Sequence, residues 1–257
     1  MNYFVEGLQG SGKSTLTTNM TKKYPELKAV REGDYSPVEL AWCAYVTPAK
    51  YGEILEKYDP IRTSIEEKSH TENDRIIICY TQVLTDIPGF HKDLEQYEIY
   101  NGRVPFDEFK RIVLSRFEKW NGNNRIFECS LFQNIVEDMI LFRDASDEEI
   151  LQFYKSISAV LQENEYRIRY LKTEDIAASI DVIRKERSDE QGNELWFPMM
   201  CRYFGESVYA MNRGLSGEEA LIAHFCHRQE LELRICREVF PDRYTILQSK
   251  RYGKDEI

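Results

Sequence analysis

Apolar residues in this chain follow two rhythms. Some form short continuous runs, the mark of buried strands, and others recur every three or four positions, the mark of helices with one inward face. Tyr3-Phe4-Val5 is the first run, and Leu16 and Met20, four apart, open a helix that Pro25 stops. Lys28-Ala29-Val30 is a second short strand, ending at Arg31-Glu32-Gly33-Asp34. Ser36-Pro37 reads as N-cap and first helical position, which predicts a helix through Val38, Leu40, Ala41, Trp42 and Tyr45 that Pro48 ends. Residues 51–67 suit one or two polar helices. Arg75-Ile76-Ile77-Ile78-Cys79-Tyr80 has the β-branched density of a strand, although a buried helix segment fits the same run. Asn101-Gly102, between Tyr97-Glu98-Ile99-Tyr100 and Arg103-Val104, signals a hairpin. From Pro105 to Trp120, inward positions Phe106, Phe109, Ile112, Val113 and Phe117 predict a helix.

The second half is more regular. Arg125-Ile126-Phe127-Glu128 is a core strand, and Phe132, Ile135, Val136, Met139 and Ile140 mark the helix after it. Ser146-Asp147-Glu148-Glu149 has the form of a capping box, opening a helix to about Glu163. Tyr166-Arg167-Ile168-Arg169-Tyr170-Leu171 is the next strand, with Thr173 capping a helix toward Arg187. Ser216-Gly217-Glu218-Glu219 caps a long helix ending before Pro241, and Tyr244-Thr245-Ile246-Leu247 is a last strand. Strand-then-helix order, repeated, predicts an α/β fold whose parallel sheet is covered on both faces.

Composition narrows the classes. The formal net charge of −10 repels phosphate backbones and anionic lipid, which speaks against a nucleic-acid polymer or a membrane as partner. No apolar run approaches the ~18 residues of a membrane span, and the opening residues lack the basic and apolar regions of a secretory signal. Six cysteines without a Cys-x-x-Cys pair suit buried thiols in a reducing compartment, so a cytoplasmic protein is expected.

The sharpest chemistry follows the first strand. Gly7-Leu8-Gln9-Gly10-Ser11-Gly12-Lys13-Ser14-Thr15 fits G-x-x-x-x-G-K-[ST]. Glycines at positions 7, 10 and 12 let the backbone come close to phosphate oxygens. The amides of Gly10 to Thr15 and the helix N-terminus direct partial positive charge at the α- and β-phosphates. Lys13 supplies a mobile cation to the β- and γ-phosphates, and the Ser14 hydroxyl is a Mg²⁺ ligand.

With loop and element order placed, the chain resembles the P-loop kinases of the deoxynucleoside kinase and thymidylate kinase group. The resemblance implies a P-loop NTPase domain of three-layer α/β/α build over residues 1–257, with about five parallel core strands. It further implies a large insertion between the second and third core strands, where residues 50–120 would build the acceptor subdomain. In that group the second strand ends in an acidic turn, matched here by Val30-Arg31-Glu32-Gly33-Asp34, with a pocket-lining Trp soon after, matched by Trp42. The third core strand ends in an acid-Arg-Ser/Tyr motif; Glu128 and Ser130 keep the acid and serine, while Cys129 stands where the arginine belongs. The group's lid carries arginines that clamp the triphosphate, and Arg184-Lys185-Glu186-Arg187 opens the matching stretch, residues 184–215.

These residues carry the expected chemistry, each beside a plainer role. Glu128 is a second metal anchor, or else the cap of the next helix. Glu32 is a general base for an acceptor hydroxyl with Asp34 beside it, or the two form an ordinary acidic turn. Arg184 and Arg187 neutralise charge on the transferring phosphate, or are solvated at a helix end. Trp42, Tyr45 and Tyr35 stack on an aromatic acceptor, or belong to the core. His224 and His227, three apart on a helix, resemble half a metal site but suit a satisfied pair better. The expected activity is ATP-dependent, Mg²⁺-dependent phosphoryl transfer to a small-molecule acceptor, best a nucleoside or nucleotide. The alternative is a P-loop ATPase or nucleotide switch without an acceptor. Asn-Lys-x-Asp is absent, which argues against guanine. A homodimer is left open.

Overall fold

Tyr3-Phe4-Val5 forms the middle of strand β1 (Asn2–Gly7), every residue of which except Tyr3 is buried. Residues 1–253 are described by the computed structural model. They fall into two units, one of Met1–Ala29 with the described residues from Asn121 onward and one of Val30–Trp120. After β1 come α1 (Lys13–Lys23) and β2 (Lys28–Val30), which carries the chain across the division. The second unit holds β3 (Ala44–Val46), α2 (Pro48–Lys57), α3 (Arg62–Glu67), β4 (Ser69–Glu72), β5 (Arg75–Ile78), α4 (Phe90–Glu95) and α5 (Phe106–Lys119). The chain then returns through β6 (Arg125–Glu128), α6 (Gln133–Leu141), α7 (Asp147–Val160), β7 (Tyr166–Lys172) and α8 (Ile176–Glu186). It continues with α9 (Trp196–Gly205), α10 (Val208–Arg213), α11 (Gly217–Val239) and β8 (Tyr244–Gln248).

The expected α/β architecture is present. Five parallel strands stand in the order β2-β6-β1-β7-β8, with Val5 opposite Glu128 and Gly7 opposite Leu171. Alternation along β1 sends its residues to opposite faces. Val5 joins Ile126, Leu171 and Leu247 against Leu16 and Met20 of α1. On the other face Phe4 stacks on Phe127 at 5.2 Å and meets Tyr166 edge-on at 5.6 Å. Phe240, just beyond α11, closes over Tyr154 of α7 and Tyr166 there. Each wholly buried ring stabilises the fold by roughly 1.5–3 kcal/mol. Because the strands are parallel, the ends of β1, β6 and β7 open on one edge, where ligands bind open α/β sheets. Among the described residues no helix is long and apolar enough to cross a membrane.

The second unit is built on an antiparallel sheet, β3-β5-β4, which the sequence pattern showed only at β5. Ile54 and Leu55 of α2, Ile65 of α3 and Phe90 and Leu94 of α4 cluster with Ala44, Val46, Ile76 and Ile78 of the sheet.

Several local expectations are corrected. No helix follows Ser36. The Ser36 hydroxyl accepts from the amides of Val38 and Glu39, and the Glu39 carboxylate accepts from Ala41, taking donors that a helix would direct at its own carbonyls. Val38, Glu39, Leu40 and Ala41 are all buried, so the segment has no solvent face for a helix to present. Pro48 starts a helix instead of ending one, as the N1 residue of α2 behind Thr47, whose hydroxyl accepts from Lys50 at 3.3 Å. Asn101 and Gly102 take the left-handed angles that a tight turn needs (φ 58° and 72°), but no hairpin forms around them. Thr173 does not cap α8. Its amide and carbonyl are both bound by the Gln229 side chain, and Asp175 caps by accepting from Ala178 at 2.9 Å. The capping box at Ser146 forms in both directions with Glu149.

Candidate functional site

The glycine loop leaves the central strand at the sheet's open edge. At Gly7 (φ 138°) a Cβ would lie 2.6 Å from the Leu171 carbonyl oxygen, and at Gly10 (φ 71°) it would lie 2.2 Å from Ile183 Cδ1. The backbone excludes a side chain at Gly7, and one at Gly10 would have to displace the Ile183 side chain, so the loop lies close to β7 on one side and α8 on the other. Gly12 (φ 97°) turns the chain into α1, whose first turn has no side-chain cap and no acidic residue. Its leading amides therefore keep the partial positive charge that draws anions.

Lys13 is buried, and its ammonium group donates to the carbonyls of Gly7 at 2.9 Å and Leu8 at 2.7 Å. Ser14 and Thr15 are exposed. The Ser14 hydroxyl donates to Oε1 of Glu128, the last residue of β6 and 114 positions away. Ser11 is wholly buried and its carbonyl accepts from Ser249 beyond β8 at 2.8 Å. Cys129, in the left-handed region at φ 61°, is buried and its amide donates to Val5 at 3.1 Å.

Beneath the loop lies a buried ionic cluster that the sequence pattern did not reveal. Arg228 of α11, 0% exposed, donates through Nη1 to Glu137 of α6 at 2.7 Å and through Nη2 to Oε1 of Gln9 at 2.7 Å. Its Nε lies 3.1 Å from Glu232 Oε1, close enough for an ion pair but outside hydrogen-bond alignment. Glu137 is also bound by His224 at 3.0 Å, and Glu232 accepts from the Tyr170 hydroxyl at 2.7 Å. Burial pushes the Glu137 carboxyl up, but the charges and hydrogen bonds of Arg228 and His224 outweigh it and hold the group down at about 2. Glu6 of β1 accepts from the amides of Leu131 at 2.7 Å and Gln133 at 3.3 Å. Burial, aided by the nearby Glu232 and not offset by the Leu131 amide or Lys13, lifts it to about 8.

Two hints of this cluster were present in the sequence. Glu6 ends an apolar strand run, and Arg228 and Glu232 stand four apart among apolar positions of one helix. His224 and His227 bind different acids, His224 the buried Glu137 and His227 Asp147 at 2.9 Å, and among the described residues no group of three or more His, Cys, Asp or Glu is placed to hold a metal.

In the Val30–Trp120 unit, Glu39 is likewise lifted to about 8, by burial ahead of the bonds from Tyr100 and Ala41. Glu6 and Glu39 thus stay protonated in the folded protein at pH values where the unfolded chain, titrating near the ordinary 4.5, has released both protons. Rising pH then favours the unfolded state, by up to ~1.4 kcal/mol per unit for each group, until the folded values near 8 are passed. Urea unfolding should show stability falling as pH rises from about 5 to about 8 and levelling above, and Glu39→Gln should flatten part of the slope. A flat profile in the native chain would refute it.

The remaining sequence candidates are placed as follows. Arg184, near the end of α8, is held by Glu194 and Glu218, each at 3.0 Å, and lies over the Phe197 ring at 4.4 Å. Arg187 lies over Trp196 at 4.9 Å. The stretch from 184 to 215 contains α9 and α10, preceded by a turn in which Asp189 accepts from the amides of Gln191 and Asn193. In the second unit Glu32 is exposed, and Asp34 accepts from the Arg31 amide at 2.8 Å and from the Gln82 side chain. Trp42 is 47% exposed and held in the left-handed region at φ 64°. Tyr45 lies on β3 beneath the Arg75 guanidinium at 5.4 Å, so the two aromatics do not share a helix face. Tyr35 stacks on His70 at 4.1 Å and donates to Glu72. Lys13, Ser14 and Glu128 are thus brought together in one unit, whereas Glu32, Asp34, Trp42 and Tyr45 belong to the other.

No protein-family model and no curated protein matches this chain.

Proposed function

We propose that the chain is a P-loop phosphotransferase of three-layer α/β/α build. On this reading it binds a magnesium–nucleoside triphosphate, ATP by resemblance, at residues 7–15 and passes the γ-phosphate to a small acceptor, a nucleoside or nucleotide by resemblance. The hydrogen bond from Ser14 to Glu128 carries the reading. It joins the residue after the loop lysine to the acid ending the neighbouring parallel strand, with nothing in their spacing along the chain to bring them together.

The two oxygens also fit the metal. Magnesium takes one or two protein oxygens and fills its remaining positions with water and phosphate, so no larger cluster is required. Ser14 and Glu128 would hold it, and when bound it neutralises charge on the β- and γ-phosphate oxygens. Lys13 would exchange the Gly7 and Leu8 carbonyls for those phosphates. Glu32, exposed in its turn, takes the role of base for the acceptor hydroxyl, because it matches the acid of the resembled group. Trp42 is a bulky residue held in a left-handed conformation with its ring in solvent, a strain found at ligand sites, and it is assigned to the acceptor. Arg184 and Arg187 are assigned to the phosphate clamp, and Arg184 would have to leave Glu194 and Glu218 to serve.

ADP release from Mg-ATP, measured alone and with nucleosides, nucleotides, sugars and aminoglycosides, tests the proposal. One acceptor raising the rate by orders of magnitude supports it. Slow release indifferent to every acceptor favours the ATPase alternative, and no release or binding with any triphosphate overturns both.

A further inference from the structure

Gln9, in the middle of the loop, has its side chain gripped from the core. Its Oε1 accepts from Arg228 Nη2 at 2.7 Å, and Arg228 is itself wholly buried. Because a guanidinium only donates, this bond turns the Gln9 carbonyl inward and its NH₂ group outward. The guanidinium plane is fixed independently of the loop. Nη1 is bonded to Glu137, which His224 steadies, and Nε faces Glu232, which Tyr170 steadies. Three elements of the core, α6, α11 and β7, therefore set where Gln9 can be. A buried guanidinium is costly unless paired, and two acids already pair this one, so the arm spent on Gln9 is not needed for neutralisation.

We infer that Arg228 is a positioning residue for the glycine loop, acting through Gln9. The inference rests on the triphosphate reading of residues 7–15 for its consequence, though not for its geometry. The other grips on the loop differ in kind. Gly7 and Leu8 are held by the Lys13 ammonium, which a triphosphate would claim, and Gly10 is only in contact with Ile183. Arg228, like the Ser249 hydroxyl on the Ser11 carbonyl, is a grip that persists when Lys13 turns to phosphate. It keeps the loop amides aimed as they are, so that binding does not have to order them.

The test uses Gln9→Met, which keeps the length but removes the acceptor, and Arg228→Lys, which keeps the charge but removes the fork. Gln9→Glu, which restores an acceptor for Arg228, is the rescue. In protein without nucleotide, hydrogen exchange is followed at the Ser11 amide, which donates to the Leu8 carbonyl at 3.2 Å. Mg-dependent binding of a fluorescent ATP analogue is measured alongside, with Lys13→Ala as control. Loss of one hydrogen bond to a charged group should speed Ser11 exchange and weaken the analogue each about tenfold in Gln9→Met. Gln9→Glu should keep exchange slow, and Gln9→Met should add nothing in the Arg228→Lys background. Unchanged exchange in Gln9→Met, or effects of the two variants that add in full, would overturn the inference. Where Arg228→Lys does not fold, the comparison of Gln9→Met with Gln9→Glu decides the matter alone. Should the native protein and Lys13→Ala both ignore the analogue, the triphosphate reading falls while the exchange rates still decide whether Arg228 braces the loop.

Discussion

Lys13→Ala is expected to lower triphosphate-dependent turnover by about 10²–10³ or more, the scale on which one preorganised charge-stabilising donor contributes to a transition state. The folded state should scarcely change. Lys13 is buried, but its ammonium is spent on two backbone carbonyls, and Leu8 keeps a second donor in the Ser11 amide. No buried charge is stranded by the deletion. Glu6 is lifted to about 8 and holds its proton at neutral pH, and Glu232 faces Arg228. A urea midpoint within about 1–2 kcal/mol of the native protein, together with loss of ADP release and of analogue binding, is the predicted pattern. Unaltered analogue affinity in a folded Lys13→Ala protein would end the phosphate-loop reading. A collapse of stability would instead show that the ammonium serves the fold, and that the loop motif has been turned to a structural use.

The parts of this molecule that were legible in the sequence are those in which a local pattern has one physical solution. The Gly7–Ser14 segment needs left-handed glycines after a strand and a helix after them, and β6 and β7 are short stretches of strand-forming Ile, Phe and Tyr, each followed by a helical pattern. The helix expected after Ser36 failed because its signal was ambiguous: serine can cap a helix or tie a turn, and the Glu39 side chain turned inward to the Ala41 amide. Asn101-Gly102 shows the same limit from the other side, with the turn angles right and the strands absent. Long-range pairing is where a local pattern stops informing. Nothing near Ser14 names Glu128 as its partner, and nothing near Gln9 names an arginine 219 positions away. The charged residues inside apolar runs were a usable warning, since Glu6 and Arg228 are too costly to bury without a partner.

That cost sets the size of the second effect. Arg228→Met should destabilise the protein by about 3–5 kcal/mol at pH 7, because it removes the cation and leaves Glu137 and Glu232 in the core. Against a total stability of roughly 5–15 kcal/mol this brings the chain close to unfolding at moderate temperature. The pH dependence identifies the cause. In the native protein Glu137 is held near 2, so its contribution is complete above the ordinary 4.5 and is lost as pH falls between those values. Without Arg228 the carboxyl is free to take a proton in the core, and the penalty seen at pH 7 should shrink by pH 5. Glu137→Gln and Glu232→Gln, introduced together into Arg228→Met, should recover at least half of the loss at pH 7, since the amides need no counter-charge. Urea unfolding at pH 5 and 7 separates this from simple loss of packing, which would cost the same at both values and would not be relieved by the two amides. A penalty independent of pH would mean that Arg228 is held for its shape, and the cluster beneath the loop would then be a packing feature whose charges are incidental.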